Sequence, residues 1–320
     1  MLLKERLLKK TLLTKHLAKQ QKIPKQSIRI RKNKIAMDIK AYDLRKEIIE
    51  ILDAAGRTPA AFNADLLLEH LAGITKLKML TDSKITVPEN IAEEIKIAAH
   101  KCADGIPLQH IIGFTEFMGL RFKVNSDVLI PRPDTEILVN EALDIVKSNS
   151  GKARILDLCT GSGCIAVSLA NFTDDADIAA SDISEKALAV AKANALQNSC
   201  ENKIIFYHGS FFEPFKDNEK FDIIVSNPPY IPTEDIKSLD DCVKNHEPIS
   251  ALDGGCDGLF AYRKIIKAAP LYLNKDGYIL FEVGIGQSED VAKLLKENFT
   301  DIKTVRDYGG IERVVYGKLL

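Results

Sequence analysis

Asp157-Leu158-Cys159-Thr160-Gly161-Ser162-Gly163 follows a short apolar run, Arg154–Leu158, and leads into Cys164–Ala170, whose pattern opens a helix. Strand, glycine turn and helix in that order mark a cofactor cradle. Gly161 and Gly163 allow a sharp turn and a close backbone approach to a ligand, with no Cβ in the way. Nineteen residues past Gly163, Asp182 ends the next apolar run, where a carboxylate can accept both hydrogen bonds of a ribose diol. Gly161-x-Gly163-x-x-Ala166 with that acid also fits a dinucleotide fingerprint. Two features weigh against a dinucleotide. Asp157, at the strand-to-loop junction four residues before Gly161, is placed to serve an amino-acid moiety through its ammonium or a water. No second, pyrophosphate-using half follows. A glycine turn that binds nothing would leave the agreement of strand, glycines and acid unexplained.

The same rhythm continues downstream. Asp177–Ser181 reads as a strand, and Ser184–Gln197 as a helix with Ser184 at its N-cap. Lys203–Tyr207 and Phe221–Val225 are further strands. Helix Leu259–Ala269, strand Tyr278–Val283, helix Gln287–Phe299 and two closing strands complete the series. Such alternation predicts a doubly wound α/β sheet. After the third strand comes His208-Gly209-Ser210-Phe211-Phe212. There Phe211 can offer a ring face to a base and Ser210 a hydroxyl, or both phenylalanines belong to the core.

Upstream the pattern changes. Pro131 and Pro133 precede a helix over about Thr135–Lys147. Residues 106–130 alternate apolar positions (Phe117, Leu120, Phe122, Val124, Val128, Ile130) with turn formers, which predicts short strands or a hairpin. Residues 38–105 read as a helical bundle. Tyr42, Leu44, Ile48, Ile49, Leu52 and Ala55 lie at i, i+3, i+4 spacing before Gly56. Leu66, Leu67, Leu68, Leu71 and Ala72 end at Gly73, and a third helix runs near Glu89–Ala103. The expected divisions are a basic extension over 1–36, a helical domain over 37–105, a β-hairpin linker over 106–130 and an α/β domain over 131–320.

The chain has 320 residues, 46% hydrophobic and 28% charged, an ordinary globular composition. Its net charge of −1 is unevenly spread. Residues 1–36 carry twelve Lys or Arg against Glu5 alone, so the remaining 284 residues carry −12. An acidic body is a poor non-specific partner for nucleic acid, whose binding is dominated by phosphate contacts. Leu2, Leu3, Leu7, Leu8, Leu12, Leu13 and Leu17 recur every five residues and spread around a helix rather than forming a stripe. A disordered or loosely helical basic tail, or a start assigned ahead of Met37, is expected there. A nucleic-acid or ribosome contact and a targeting peptide are the rivals. Cys102, Cys159, Cys164, Cys200, Cys242 and Cys256 show no Cys-x-x-Cys pair or zinc spacing, so reduced thiols in a cytoplasmic protein, with no metal, are expected. No apolar run approaches the ~20 residues of a membrane span.

Asn227-Pro228-Pro229-Tyr230 ends the strand Phe221–Ser226, at the edge where open α/β sheets hold ligands. Two prolines fix φ and remove two N–H donors. The turn therefore presents acceptors, the Asn227 side-chain oxygen and the Pro228 carbonyl, suited to the two hydrogens of a planar –NH2 group. Tyr230 can pack against the same flat group. An amide or exocyclic amine nitrogen is a weak nucleophile because its lone pair is delocalised. Two acceptors on its hydrogens draw density onto nitrogen and aim it at an electrophilic methyl. Neither a metal nor a general base is required during the attack. The rival is a rigid proline turn with no ligand.

These stretches together resemble the HemK/PrmC family, the protein-(glutamine-N5) methyltransferases that modify peptide chain release factors. The resemblance runs from about Met37 to Leu320. It takes in the two motifs above, Ile130-Pro131-Arg132-Pro133-Asp134-Thr135-Glu136, Glu247-Pro248 with Ala251-Leu252 and Gly254-Gly255-x-Asp257-Gly258-Leu259, and Phe281-Glu282-Val283-Gly284. The tetrapeptide alone is shared with some adenine methyltransferases, whereas the ordered set is specific. The resemblance implies a Rossmann-like seven-stranded class I methyltransferase domain behind a small N-terminal helical bundle. S-adenosylmethionine is then the cofactor and S-adenosylhomocysteine the product. Asp157, Cys159, Thr160, Gly161, Ser162, Gly163, Asp182, Ser210, Phe211 and Asn227 are implied at the cofactor, and Asn227, Pro228, Pro229 and Tyr230 at the chemistry. A Gly-Gly-Gln loop of a release factor would enter the cleft, with the helical domain helping to grip it. The expected state is a monomer with no stable nucleic-acid complex and no membrane association. Methylation of an adenine or cytosine amine in DNA or RNA is the alternative enzyme, and a cofactor-binding protein without transferase activity the alternative class. Two positions depart from the family pattern. Cys159 stands where glycine is frequent, and Ser210 where Asp is expected.

Overall fold

The computed structural model describes residues 38–148, 151–174, 176–216 and 219–320. The expectations for residues 1–36 lie outside them. Residues 39–40 (β1) pair antiparallel with 86–87 (β2) and close a group of helices. These are α1 (Ala41–Ala54), α2 (Ala60–Ala72), α3 (Lys76–Thr81) and α4 (Glu89–Ala103). Their packing follows most of the apolar spacing, except that Tyr42 and Ala55 of the first stripe are exposed and Ala41 is buried instead. Ala41, Leu44, Ile48 and Leu52 of α1 are buried, as are Ala92, Ile95, Ala98, Ala99 and Cys102 of α4. Gly73 ends α2 in the left-handed conformation at φ 66°, which a side chain would resist.

Residues 106–130 are not all strand. A short helix α5 (Leu108–Ile112) precedes the hairpin of β3 (Phe114–Phe117) and β4 (Leu120–Lys123). Pro107 at its N-cap and left-handed Gly113 at its C-cap bound that single turn, too short for helical periodicity to show. The strand pair β1–β2 was also missed, being two residues long on each side.

The α/β part begins with α6 (Thr135–Ser148). It continues β5 (Ala153–Leu158), α7 (Cys164–Phe172), β6 (Ala176–Asp182), α8 (Glu185–Gln197), β7 (Ile204–His208) and β8 (Phe221–Ser226). After the short α9 (Asp241–Lys244) come α10 (Phe260–Ala268), β9 (Leu273–Glu282), α11 (Ser288–Leu295), β10 (Phe299–Arg306) and β11 (Glu312–Leu319). The seven strands form one sheet in the order β10-β11-β9-β8-β5-β6-β7. β5 to β9 run parallel, and β11 and β10 are added antiparallel at one edge. Helices cover both faces, with one apolar cluster around α6, α7 and Ile223 and another around α10, α11 and Ile224. Central strands buried on both faces read as continuous apolar runs.

Two boundaries differ from the sequence reading for physical reasons. β9 begins at Leu273 rather than Tyr278, because Phe221 pairs with Leu273 and Ile223 with Tyr278 around a bulge. The bulge holds Asn274, Lys275, Asp276 and Gly277, a polar stretch that reads as a turn. The last helix stops at Leu295, and Phe299 starts β10 opposite Leu319. Phe299 lies four residues after Leu295 and so continues the apolar helical spacing, which hides the break. Ser184 caps α8 as expected, its hydroxyl accepting from the Ala187 N–H at 3.2 Å.

Candidate active site

β5 and β8 are neighbours in the sheet and pair in parallel with Leu158 opposite Ser226. The strand order reverses direction between them, which is where ligands lodge in folds of this kind. Cys159–Gly163 and Asn227–Tyr230 therefore leave the sheet side by side. The Ser226 hydroxyl donates to the Leu158 carbonyl at 2.7 Å and ties the two turns together.

The first turn is tight because three of its residues are left-handed, Cys159 at φ 61°, Gly161 at 54° and Gly163 at 80°. The Gly161 N–H thereby reaches Oδ2 of Asp182 at 2.8 Å, and Oδ1 of Asp182 accepts from the Ser184 N–H at 2.8 Å. Each Asp182 oxygen keeps a lone pair for a further donor. Burial raises the pKa of this carboxyl despite those N–H bonds. Gly163 needs its missing Cβ for a reason the sequence did not show. A Cβ there would lie 2.9 Å from the Cβ of Ala191 in α8, so the close approach is between two helices rather than to a ligand.

Asp157 is fully buried. Its Oδ2 accepts from the Thr160 hydroxyl at 2.6 Å and from the Ala166 N–H at 3.2 Å. Its Oδ1 is buried with no hydrogen-bond partner among the described residues. Burial pushes the Asp157 carboxyl up to about 7, against the Thr160 and Ala166 bonds that lower it. An orphaned buried carboxylate oxygen is costly and calls for a donor, ideally a cation.

A cavity of about 260 Å³ opens between the two turns. Cys159, Thr160, Gly161, Ser162, Asp182, Ser210, Phe211, Asn227 and Pro229 are among its walls; Asp157, Gly163, Pro228 and Tyr230 are not. The two phenylalanines divide the roles considered for them. Phe211, left-handed at φ 47°, faces the cavity, while Phe212 is buried and stacks on Tyr272 at 4.4 Å. The Ser210 N–H is held by Glu213 at 3.0 Å.

The second turn is held from a distance. The Asn227 amide nitrogen donates to the Thr135 hydroxyl at 3.3 Å, and that hydroxyl donates to Oε2 of Glu282 at 2.5 Å. The Tyr230 hydroxyl reaches the other oxygen of Glu282 at 3.4 Å. Glu282 is buried at the end of β9, and burial pushes its carboxyl up to about 7. Gln287 donates to the Tyr230 carbonyl at 2.9 Å while accepting from the Gly284 N–H at 3.0 Å. Glycines let the neighbouring backbone approach. A Cβ on Gly254 would lie 2.7 Å from Tyr230 Cα, and one on Gly258 would lie 2.3 Å from the Tyr230 carbonyl oxygen. Arg132 grips both oxygens of Glu247, at 2.7 and 2.9 Å. That pair ties the segment ahead of α6 to the loop that supplies Pro248, Ser250 and Asp253 to the cavity. Sequence reasoning quoted Thr135, Glu282 and Gly254 without giving them roles and missed Gln287. The available signal was Glu282 itself, an acid at the end of the apolar stretch Tyr278–Phe281.

A family model for the PrmC N-terminal domain matches residues 43–113, and one for the methyltransferase small domain matches residues 134–245. The release factor glutamine methyltransferase of Bacillus cereus is 36% identical over 286 residues, 88% of this chain and 100% of the relative. That of Geobacter sulfurreducens is 42% identical over 262 residues, 81% of this chain and 90% of the relative. Among solved structures, the hMettl16 catalytic domain in complex with MAT2A 3'UTR hairpin 6 aligns with a TM-score of 0.52 at 16% identity, covering 70% of this chain and 81% of that one. At that identity the likeness concerns the fold alone.

Proposed function

Because the chain belongs to the family of release factor glutamine methyltransferases, we propose that it transfers a methyl group from S-adenosylmethionine to the side-chain amide nitrogen (N5) of the glutamine in a release-factor Gly-Gly-Gln loop. One observation carries the assignment of the chemistry. Asn227 lines the cavity and its amide nitrogen is engaged by Thr135, which leaves its carbonyl oxygen as the acceptor for a ligand.

The residues present suit the cofactor. The orphaned Oδ1 of Asp157 calls for a cationic or hydrogen-bonding donor, which an amino-acid ammonium supplies directly or through a water. The spare lone pairs of Asp182 suit a ribose diol, and the Phe211 ring in the cavity wall suits an adenine face. Ser210 contributes a hydroxyl to the same wall. When bound, S-adenosylmethionine supplies an electrophilic methyl on a sulfonium sulfur and leaves as S-adenosylhomocysteine.

The chain's own part is to hold the glutamine amide. The Asn227 oxygen and the Pro228 carbonyl accept its two hydrogens, and the prolines keep the acceptors fixed. That grip would draw density onto the amide nitrogen and aim it at the methyl that the cofactor would supply, and the proton would then leave the methylated nitrogen to water. Orientation of this kind can supply ~7–11 kcal/mol of the barrier. Tyr230, braced by Glu282 and Gln287, packs behind the amide. Burial and the adjacent Glu282 carboxylate hold its phenol far above the ordinary range, so it stays neutral. We assign recognition of the release factor to the domain 37–105 and the linker 106–130, with the chemistry in 131–320. A monomer acting in the cytoplasm on a protein partner, without a stable nucleic-acid complex, fits this reading.

Asn227→Ala is expected to abolish transfer of labelled methyl to a Gly-Gly-Gln release factor while leaving cofactor binding nearly intact. Undiminished transfer would sink the mechanism. Label entering DNA or RNA in place of the release factor would restore the nucleobase alternative.

A further inference from the structure

A carboxamide can present either its oxygen or its nitrogen to a ligand, and the two ends have the same shape. An asparagine that must accept therefore needs something to set its polarity. Among the described residues, the Asn227 side chain has one protein hydrogen bond, to Thr135. Thr135 is 1% exposed and carries one hydroxyl proton. That proton goes to Glu282, which is 2% exposed and, when ionised, accepts only. While Glu282 is ionised, the Thr135 proton stays committed and its oxygen offers Asn227 nothing but lone pairs. In that state Asn227 turns its NH2 toward Thr135 and its oxygen away.

We infer that Thr135 and Glu282 are positioning residues that fix the orientation of the Asn227 carboxamide, so that the end facing the substrate is an acceptor. The inference rests on the proposed glutamine-amide substrate, whose –NH2 needs an acceptor. The three groups come from three separate places, the first turn of α6, the end of β9 and the turn after β8. Glu282 is itself held in place. The Tyr230 hydroxyl binds its second oxygen, and Arg313 on β11 lies within electrostatic reach and opposes the charge of Asp134. If Thr135 lost its hydroxyl, Asn227 would have no partner that prefers its nitrogen. Flipped, the carboxamide would present N–H groups to the N–H groups of the substrate.

The experiment compares Thr135→Val, Thr135→Ser and Glu282→Gln with the wild-type chain, measuring kcat and KM for a Gly-Gly-Gln release factor and Kd for S-adenosylhomocysteine. Thr135→Val keeps the shape and removes the hydroxyl. Its kcat is expected to fall about 100-fold with cofactor Kd within about 3-fold, as misplacement of a reacting group would do. Thr135→Ser, which restores the hydroxyl without the methyl, is expected to return kcat to within about 5-fold of wild type. A purely structural role for Thr135 would instead move Kd and stability, and serine would not rescue kcat. Glu282→Gln frees the Thr135 proton to point either way, and an intermediate loss of about 10-fold is expected. If Thr135→Val does not bind cofactor, Glu282→Gln carries the test. An active wild type beside full activity in Thr135→Val, or in Glu282→Gln where valine fails to bind cofactor, would overturn the inference alone. So would a serine variant as impaired as valine. No transfer by the wild type would overturn the functional reading and the inference with it.

Discussion

The two turns at the centre of this molecule leave adjacent strands yet are held in opposite ways. Residues 157–163 are fixed mostly by near neighbours in sequence, with two longer links, from Asn194 to the Ser162 carbonyl and from Ser226 to the Leu158 carbonyl. Asp157 binds Thr160 and Ala166, and Gly161 binds Asp182, the longest of these near links spanning 21 residues. Residues 227–230 are fixed by groups far along the chain, with Thr135 lying 92 residues before Asn227 and Gln287 lying 57 after Tyr230. The first turn is specified mainly by a short segment. The second exists only once the sheet has assembled around it. Damage to the two should therefore separate. Changes at the first should weaken cofactor binding, and changes around the second should stop transfer while cofactor still binds.

The largest separation is expected at Gly258 and Gly254. Alanine at Gly258 would set its Cβ 2.3 Å from the Tyr230 carbonyl oxygen and 2.4 Å from the Gln287 nitrogen, at a backbone φ of 73° that resists a side chain. The backbone contact cannot be relieved by a rotamer change, so the turn itself must move. Displacement of catalytic groups by about 1 Å costs on the order of 100-fold, and Gly258→Ala should lose at least that in kcat. Its cofactor Kd, measured by calorimetry, should change less than about 3-fold. Loss of both together would mean that the two turns are not independent.

Asp182→Asn tests the first turn. Asparagine keeps one acceptor but places an NH2 against a backbone N–H that now has a carboxylate oxygen, from either Gly161 or Ser184. Hydrogen bonds to charged groups contribute about 1.5–3 kcal/mol, so cofactor Kd should rise about 10- to 100-fold. At saturating cofactor, kcat should stay within a few-fold of wild type. A collapse of kcat at saturation would join the two turns again.

A smaller effect, on stability, is expected at Asp157. Burial raises its pKa from an ordinary 3.8 to about 7, so the folded protein favours the protonated form. That preference is fully present below the unfolded pKa and is lost as pH rises through about 7. At about pH 8 the cofactor-free fold bears a buried charge that asparagine would not carry. The elevation sets a ceiling of roughly 4 kcal/mol. An amide left with an unpaired N–H gives back about 1–3 kcal/mol of it. Asp157→Asn should therefore stabilise the cofactor-free protein by about 1 kcal/mol at about pH 8, with the gain vanishing toward pH 4. Denaturant melts at the two pH values check it. The same variant should bind cofactor more weakly, since the oxygen it removes is the one left without a protein partner.

The contrast between the turns also explains what could be read in advance. Asp157, Gly161 and Asp182 were legible as a candidate site because the spacing between them is short, and because strand periodicity locates both carboxyl ends. The helix near Glu89–Ala103 and the hairpin around Gly119 were legible for the same reason. Thr135 and Glu282 carried no such signal. A threonine after two prolines reads as a helix start, and an acid closing a strand reads as a strand end. Only the sheet order, with β9 beside β8 and α6 packed across both, brings them to Asn227. Gly254 and Gly258 likewise read as loop glycines until Tyr230 is seen against them. Residue types that act locally can be assigned from sequence, while those that act through tertiary contact need the topology first.

Cys159 provides the smallest and most exacting test, because it sets the local turn against its own backbone. It holds φ 61°, a left-handed conformation that costs a side-chain-bearing residue about 1 kcal/mol or more. Glycine would remove that strain but would also give the unfolded chain more freedom to lose, about 0.5–1 kcal/mol. The Cys159 side chain lines the cavity rather than filling the core, so little packing is forfeited by its removal. The balance favours glycine by about 0.5 kcal/mol, a rise in Tm of about 1–2 °C for a chain of this size. Cofactor Kd should change little, because the turn already has the shape that glycine prefers. A fall in Tm by several degrees would show that the Cys159 side chain stabilises the turn through its neighbours. The first turn would then depend on its tertiary surroundings as the second does.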